Sequence, residues 1–460
     1  MIFLNFFDTF MIPFVQIKSI ALTNFKNVVS GSVDFKNNIL GVYGQNGSGK
    51  TALIDALEMF QKVARGEALP NSYENLIMCG KDFGECTVAF DVYDADGKAE
   101  GIVEYTFRIK RIEQKGVEVF FEQVSERKKG KASKVLVSID KSMQNDWICP
   151  AQDFAFAFET KESSIKFEVQ KEVTSREHRS MLFSRDFDAF MKASDKSPAA
   201  KLSVIDRIRF FAQVNLFVIK SNGKSPFNID FAFPFNFLHK ENRDLSFGTV
   251  QISLQGANIV VKELFDIIDK SFNEMNVVLQ EIVPGLNVVV DNKGAQQTPE
   301  GEDGVRFELL SKKGDADAIP LRYESEGIKK IISILSILIA VYNNPATFLA
   351  VDELDAGIYE YLLGEILNII DDKAKGRLLF TSHNLRPLEM IRKDSLIFTT
   401  TNASNRYIRL SGIQTNNNPR NVYLRSIGLG GQKEEIYQET NHFKIDRAFR
   451  NAGKLNDGQN

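Results

Sequence analysis

The sequence predicts an α/β fold: a mixed sheet flanked by helices, with an antiparallel β lobe and a mainly helical insertion. Three observations carry this. A glycine-rich loop at 44–51 sits between an apolar strand pattern (38–43) and a helical one (52–60). Residues 84–138 alternate strongly between apolar and polar. Two further short apolar runs, 347–351 and 378–380, end in residues that can do chemistry. Short apolar runs read as buried parallel strands, and alternation reads as half-buried antiparallel ones.

In chain order the reading gives five segments: an N-terminal extension (1–13), a first lobe with the loop and a β meander (14–174), a mainly helical insertion (175–290), a second half of the core (291–412) and a helical tail (413–460). The apolar start lacks a basic n-region, carries Asp8 and is too short to span a bilayer; it reads as an upstream extension, with Met1 and Met11 both open as the natural start. Residues 14–60 read strand, strand, strand, loop, helix. Asp94-Ala95-Asp96-Gly97 lacks the full calcium-loop pattern and reads as a hairpin turn. The basic loop 128–134 is either a solvated turn or a nucleic-acid contact. No sustained heptads occur in 175–282, which argues against a coiled-coil arm. Residues 291–304 read as a turn-rich connector, and Asn451 to Asn460 as an unstructured end. The apolar run 331–341 contains Ser333 and Ser336 and falls well short of the ~20 residues of a membrane span, so a buried helix and no membrane are expected.

Composition narrows the class. A net charge of −3 gives no global basic field for nucleic acid, although 57 Lys and Arg leave a local patch open. Three cysteines (Cys79, Cys86, Cys149) without metal-ligand spacing read as reduced thiols of a cytoplasmic protein. Four scattered histidines argue against a His-built zinc site.

The loop Gly44-Gln45-Asn46-Gly47-Ser48-Gly49-Lys50-Thr51 fits G-x-x-x-x-G-K-[ST]. Gly44, Asn46, Gly47, Ser48 and Gly49 would cradle phosphate with backbone N–H groups. Lys50 would reach the β- and γ-phosphates, and Thr51 would offer its hydroxyl to Mg²⁺. The partner strand 347–351 ends in Asp352 and Glu353. Asp352 is placed to hold Mg²⁺ and Glu353 to polarise a water for in-line attack. The apolar strand 378–380 leads to His383, placed to hydrogen-bond the γ-phosphate. Upstream, Ser325 and Gly327 open the helix before the acids and form another anion site. Two phosphate sites at opposite ends make sense when two molecules lie head to tail, each closing the other's nucleotide.

This set, in this order, resembles the ATP-binding-cassette family: P-loop, Ser-x-Gly signature, Asp-Glu strand, Asp loop and switch His. The resemblance implies a P-loop ABC-type ATPase head that binds ATP and Mg²⁺ and hydrolyses ATP slowly, with Asp355 of Leu354-Asp355-Ala356-Gly357 as a further nucleotide contact. The family's glutamine loop has only Gln123 and Gln152 as candidates. Leu429-Gly430-Gly431-Gln432 imitates a transporter signature but follows the switch His, and reads as a turn capping a helix. The inserted region between the two halves, and the opening of the chain, resemble the SMC, Rad50 and RecF group. Glu324-Ser325-Glu326-Gly327 and the Asp-Glu strand are similar to the AAA-15/AAA-21 forms, related to the ATPase half of OLD-family proteins. The stretch after His383 is too short for the TOPRIM nuclease of that family. Stand-alone members resemble the ATPase subunits of two-gene anti-phage systems of PARIS and Septu type. That implies a homo-oligomer of at least two copies, a separate nuclease or toxin effector, and a phage-protein trigger, with 421–450 either docking the effector or packing on its own domain. The rival expectation is a RecF- or SMC-like DNA-repair or DNA-clamp ATPase, which leaves a DNA contact open.

Overall fold

A computed structural model describes residues 13–112, 116–128, 130–192, 202–220, 232–241, 244–412 and 418–454. All but the last residue of the expected N-terminal extension, Met11 included, lies outside them, as do Lys129 of the basic loop, residues 226–231 of the expected insertion and the end of the tail at 455–460.

The chain begins with β1 (Phe14–Phe25), β2 (Val28–Asp34) and β3 (Ile39–Tyr43), followed by helix α1 (Lys50–Ala64). β1 and β2 form a hairpin that joins β4 (Phe83–Tyr93), β5 (Ala99–Arg111), β6 (Val117–Arg127), β7 (Lys134–Asp140) and β8 (Ile148–Cys149) in an antiparallel sheet of order β2-β1-β4-β5-β6-β7-β8. Alternation puts Val88, Phe90, Tyr105 and Phe107 on one buried face. The expected turn at 94–97 joins β4 to β5: Asp94 Oδ1 accepts from the N–H of Asp96 at 3.0 Å and of Lys98 at 2.8 Å. α1 packs beneath this face, with Phe60 centred 5.8 Å from Phe90 and 6.2 Å from Tyr105. Burying such a ring contributes roughly 1.5–3 kcal/mol.

β3 belongs to the other sheet. Its order is β19-β18-β3-β17-β16-β9, with β9 (Leu216–Ile219), β16 (Phe348–Val351), β17 (Arg377–Thr381) and β18 (Leu396–Thr399) parallel to β3 or to each other, and β19 (Tyr407–Ile408) antiparallel at one edge. β3, β16, β17 and β18 are buried at every residue, as strands covered on both faces should be. The parallel strands end on one side, where ligands of α/β sheets bind.

Segment 175–290 carries α3 (Arg185–Lys192) and α4 (Ser203–Phe210) after α2 (Lys161–Arg176), then β9, the hairpin β10 (Ala232–Glu241) and β11 (Asp244–Ser253), β12 (Asn258–Val261) and α5 (Lys262–Ile282). β12, β13 (Leu286–Ala295), β14 (Gly304–Lys313) and β15 (Ile319–Pro320) make a small sheet. Here the expected connector at 291–304 is corrected. β13 runs to Ala295, because its backbone pairs with β14 past a bulge at Asn292/Gly294 whatever its side chains are. α6 (Glu326–Asn343) buries Ile331 to Val341 on nearly every side, as its apolar run requires. α7 (Glu360–Lys373), α8 (Pro419–Leu429) and α9 (His442–Lys454) follow. Gly430, at φ 69°, caps α8, so the false signature at 429–432 is a helix end. α9 continues to Lys454, four residues into the stretch expected to be unstructured, since 442–454 keeps a helical amphipathic pattern. Among the described residues, no helix is long and apolar enough to cross a membrane.

Candidate active site

The site is built at the ends of β3, β16, β17 and β18. β3 delivers the chain into loop 44–49, and α1 starts at Lys50. Gly44 has φ 149°, and a Cβ there would lie 1.7 Å from Thr399 Oγ1, so only glycine fits beside β18. The loop's carbonyls are held from several sides. Lys50 Nζ donates to Gly44 O at 2.7 Å and to Gln45 O at 3.2 Å. Ser48 Oγ donates to Gln45 O at 2.5 Å, Asn27 Nδ2 to Gly47 O, and Tyr407 Oη to Gly49 O at 2.8 Å. With those carbonyls occupied, the first N–H groups of α1, at Lys50 and Thr51, have no acceptor behind them in the helix and remain for an anion. Lys50 is 7% exposed. Burial pushes its ammonium below the ordinary lysine value, against the pull of Asp352, Glu353 and Asp355.

Thr51 Oγ1 lies 3.4 Å from Asp352 Oδ1, although the two are 301 residues apart in sequence. Asp352 is buried at the end of β16, and Thr381 Oγ1 at the end of β17 donates to the same oxygen at 2.6 Å. Two hard oxygen donors meeting beside a phosphate loop suit Mg²⁺.

Glu353, next in the chain, has φ 49°, a left-handed backbone that costs a non-glycine residue about 1–2 kcal/mol. Two contacts hold it there: its N–H donates to Thr381 Oγ1 at 2.8 Å, and its carbonyl accepts from Lys330 Nζ at 2.6 Å. Burial lowers the Lys330 pKa, opposed by Asp355, Glu353 and Asp352. Strain of this kind gathers at functional positions.

Asp355 Oδ2 accepts the N–H groups of His383 at 3.2 Å and Asn384 at 3.0 Å, so the loop after β16 is tied to the end of β17. Its other oxygen, Oδ1, is buried without a hydrogen-bond partner. The His383 side chain is exposed.

Ser325 and Gly327, expected to form a second anion site, lie at the start of α6. Ser325 caps α6, its exposed hydroxyl accepting from Ile328 N at 3.3 Å. No hydrogen bond joins Ser325 or Gly327 to loop 44–51 among the described residues. Gly327 has a packing reason of its own: a Cβ there would lie 2.0 Å from Gly357 O, so the start of α6 rests directly on the backbone of the loop after Asp355.

Sequence reasoning missed Thr381, Thr399 and Lys330. Thr381 was within reach, since it stands two residues before His383 at a strand end. Gln123, in β6, and Gln152, in the short helix Ala151–Phe154, both lie off the parallel sheet. The residue beyond β9, the strand next to β16, is Lys220, whose Nζ reaches Asp55 at 2.6 Å and Glu58 at 2.9 Å on α1.

The sequence profile of the AAA-21 family, described as "AAA domain, putative AbiEii toxin, Type IV TA system", matches residues 39–389. No curated protein matches the sequence. Among solved structures, the chain is similar to an Smc head bound to the C-winged helix domain of ScpA, at 12% identity and a TM-score of 0.43, covering 86% of this chain and 98% of that one. It is also similar to the Smc head domain with an extended coiled coil bound to the C-terminal domain of ScpA from Pyrococcus furiosus (13% identity, TM-score 0.40, 86% and 96% covered). A third is the SMC head domain from Thermotoga maritima (14% identity, TM-score 0.35, 86% and 99% covered).

Proposed function

The chain belongs to the AAA-21 family and has the fold of a P-loop ABC-type ATPase head, and from that premise we propose that it binds and hydrolyses ATP as a head-to-tail dimer and controls a separate effector in anti-phage defence. The observation that carries the ATPase reading is the meeting of Thr51 Oγ1 and Asp352 Oδ1 at 3.4 Å beside the buried Lys50. Lys50 leaves the loop carbonyls to bind the β- and γ-phosphates, and the N–H groups at the start of α1 take the remaining phosphate charge. Thr51 and Asp352 would hold Mg²⁺, which would neutralise phosphate charge when bound. Glu353 accepts a proton from the attacking water, and His383 orients the γ-phosphate. Ser325 and the N-terminus of α6 close the nucleotide of a second copy, which fits the exposure of Ser325 and Glu326.

The effector reading rests on the family description, which names a toxin of a type IV toxin–antitoxin system, and on α9. That helix leaves Phe443 83% and Phe449 77% exposed, a surface suited to a nuclease or toxin partner. The purified chain should bind ATP, associate on binding it and turn it over slowly. Lys50→Ala should bind none. Glu353→Gln should bind ATP and accumulate as a dimer in light scattering, and turnover at the wild-type rate would overturn the assignment of Glu353. For the defence role, the gene with its neighbours should reduce plaque formation, and Lys50→Ala should remove that protection. Tight, salt-dependent DNA binding by the chain alone would instead favour a DNA-clamp ATPase.

A further inference from the structure

We infer that Gln45 couples the nucleotide loop to the C-terminal segment, so that a nucleoside triphosphate in the loop changes how residues 434–441 are held. The inference rests on the nucleotide-binding reading above and adds a means of regulating that site.

Gln45 is engaged from two sides. Inside the loop, its carbonyl accepts from Ser48 N–H at 3.2 Å, from Ser48 Oγ at 2.5 Å and from Lys50 Nζ at 3.2 Å. Outside, its side-chain amide and the Gln438 backbone form a closed pair, 393 residues apart in sequence: Gln438 N–H donates to Gln45 Oε1 at 3.1 Å, and Gln45 Nε2 donates to Gln438 O at 3.4 Å. The segment carrying Gln438 is well anchored. Ile436 is 3% exposed and sits in the core beneath the parallel sheet. Thr401 N–H donates to Glu435 O at 2.8 Å. The Glu434 carboxylate accepts from Asn402 Nδ2 at 3.0 Å and Asn405 Nδ2 at 2.9 Å. Residues 401–405 follow β18, whose last residue, Thr399, meets Ser48 with the two hydroxyl oxygens 2.5 Å apart. The loop and the segment are therefore joined twice, directly through Gln45 and around through 399–405.

The direction of coupling follows from Lys50. Its ammonium now donates to neutral carbonyls, Gly44 O and Gln45 O. Phosphate oxygens are charged acceptors and form the stronger hydrogen bonds. When Lys50 turns to them, the Gln45 carbonyl loses one of its three donors and keeps the two of Ser48, so the peptide unit can pivot on Ser48 and the side-chain amide moves with it. The Gln45–Gln438 pair then loosens or re-forms in a new register. α9 begins at His442, shortly after Gln438, so its exposed aromatic surface inherits the change. By linkage, whatever fixes α9 must alter triphosphate affinity by the same factor.

Hydrogen exchange of the full chain tests this, with and without AMP-PNP and Mg²⁺, while a fluorescent nucleotide titration measures binding separately. In the wild type, saturating AMP-PNP should change exchange at the Gln438 amide about fivefold, the worth of one hydrogen bond. Gln438→Pro removes the tail's N–H donor without touching the loop. Compared at equal nucleotide occupancy, it should lose the response across 434–441, and so should Gln45→Ala. Unchanged exchange in a wild-type chain that binds AMP-PNP overturns the coupling and leaves nucleotide binding standing, as does a full response in both variants. A chain that binds no AMP-PNP overturns both.

Discussion

The Thr381 hydroxyl donates to Asp352 Oδ1 at 2.6 Å, the same oxygen that Thr51 approaches at 3.4 Å. Thr381 also accepts the Glu353 N–H at 2.8 Å, so one hydroxyl orients both acids of the site. If Asp352 holds Mg²⁺ as proposed, Thr381 fixes a metal ligand without being one. Such partners typically change metal affinity or activity 10- to 100-fold when removed. Thr381→Val should raise the Mg²⁺ concentration for half-maximal ATPase about tenfold, while Thr381→Ser, which keeps the hydroxyl, should stay near wild type. A Mg²⁺ titration of the three proteins is the check, and equal curves for Val and Thr would remove the role.

Glu353 separates backbone from side chain. Its φ of 49° suits glycine better than glutamate. Glu353→Gly should stabilise the folded chain by about 1 kcal/mol by relieving that conformation, while lowering ATP turnover at least 100-fold through loss of the general base. Thermal unfolding and a phosphate-release assay on one preparation measure both. A drop in stability would mean that the glutamate side chain holds the turn, and the functional reading of the strain would fail.

The loop at 44–51 and the acids at 352–353 were legible because each is a short local string whose geometry follows from its own residues. The meander of β4 to β7 was legible from alternation alone. What escaped depends on contacts between distant residues. Thr399 matters because Gly44 comes against it, and Lys330 because the Glu353 carbonyl lies above it. β9 is a four-residue apolar run inside a helical stretch, a length at which periodicity cannot separate strand from helix. Gly327 is the most instructive case. Beside the phosphate its place at a helix start suggests, it has a packing reason: a Cβ there would meet the Gly357 backbone, which no local pattern encodes.

That distinction can be measured. Gly327→Ala forces a methyl to within 2.0 Å of Gly357 O, where backbone must move. The cost should be about 1–3 kcal/mol, seen as a lower Tm even in the monomer without nucleotide. Ser325→Ala removes only the cap contact, worth about 1 kcal/mol, but also the hydroxyl offered to a second copy. It should leave ATP binding by one chain intact while weakening ATP-driven association in light scattering. If Ser325→Ala dimerised as well as wild type, Ser325 would be a helix cap and no more.

Away from the site, Glu122 gives a stability test that should leave nucleotide binding alone. This buried carboxylate in β6 accepts from Tyr105 Oη at 2.7 Å, Ser180 Oγ at 2.5 Å, Met181 N at 2.9 Å and Leu182 N at 3.3 Å. Met181 and Leu182 offer N–H groups, which only donate, while Tyr105 and Ser180 offer hydroxyls that can also accept. Glutamine is nearly the same shape; with its oxygen toward the N–H groups its NH₂ donates to the two hydroxyl oxygens, and the two hydroxyl protons lose their acceptor. Glu122→Gln should therefore cost about 2 kcal/mol. The loss should appear as a lower urea midpoint with an unchanged slope, because the surface exposed on unfolding stays the same. Segment 180–184 rests on the end of α1, where a Cβ on Gly66 would lie 2.5 Å from Phe183 O, far from loop 44–51 at the helix's other end. Fluorescent-nucleotide affinity of the folded variant should accordingly match wild type within about twofold. A midpoint shift worth less than ~1 kcal/mol would mean that the four donors find other acceptors when the carboxylate is gone.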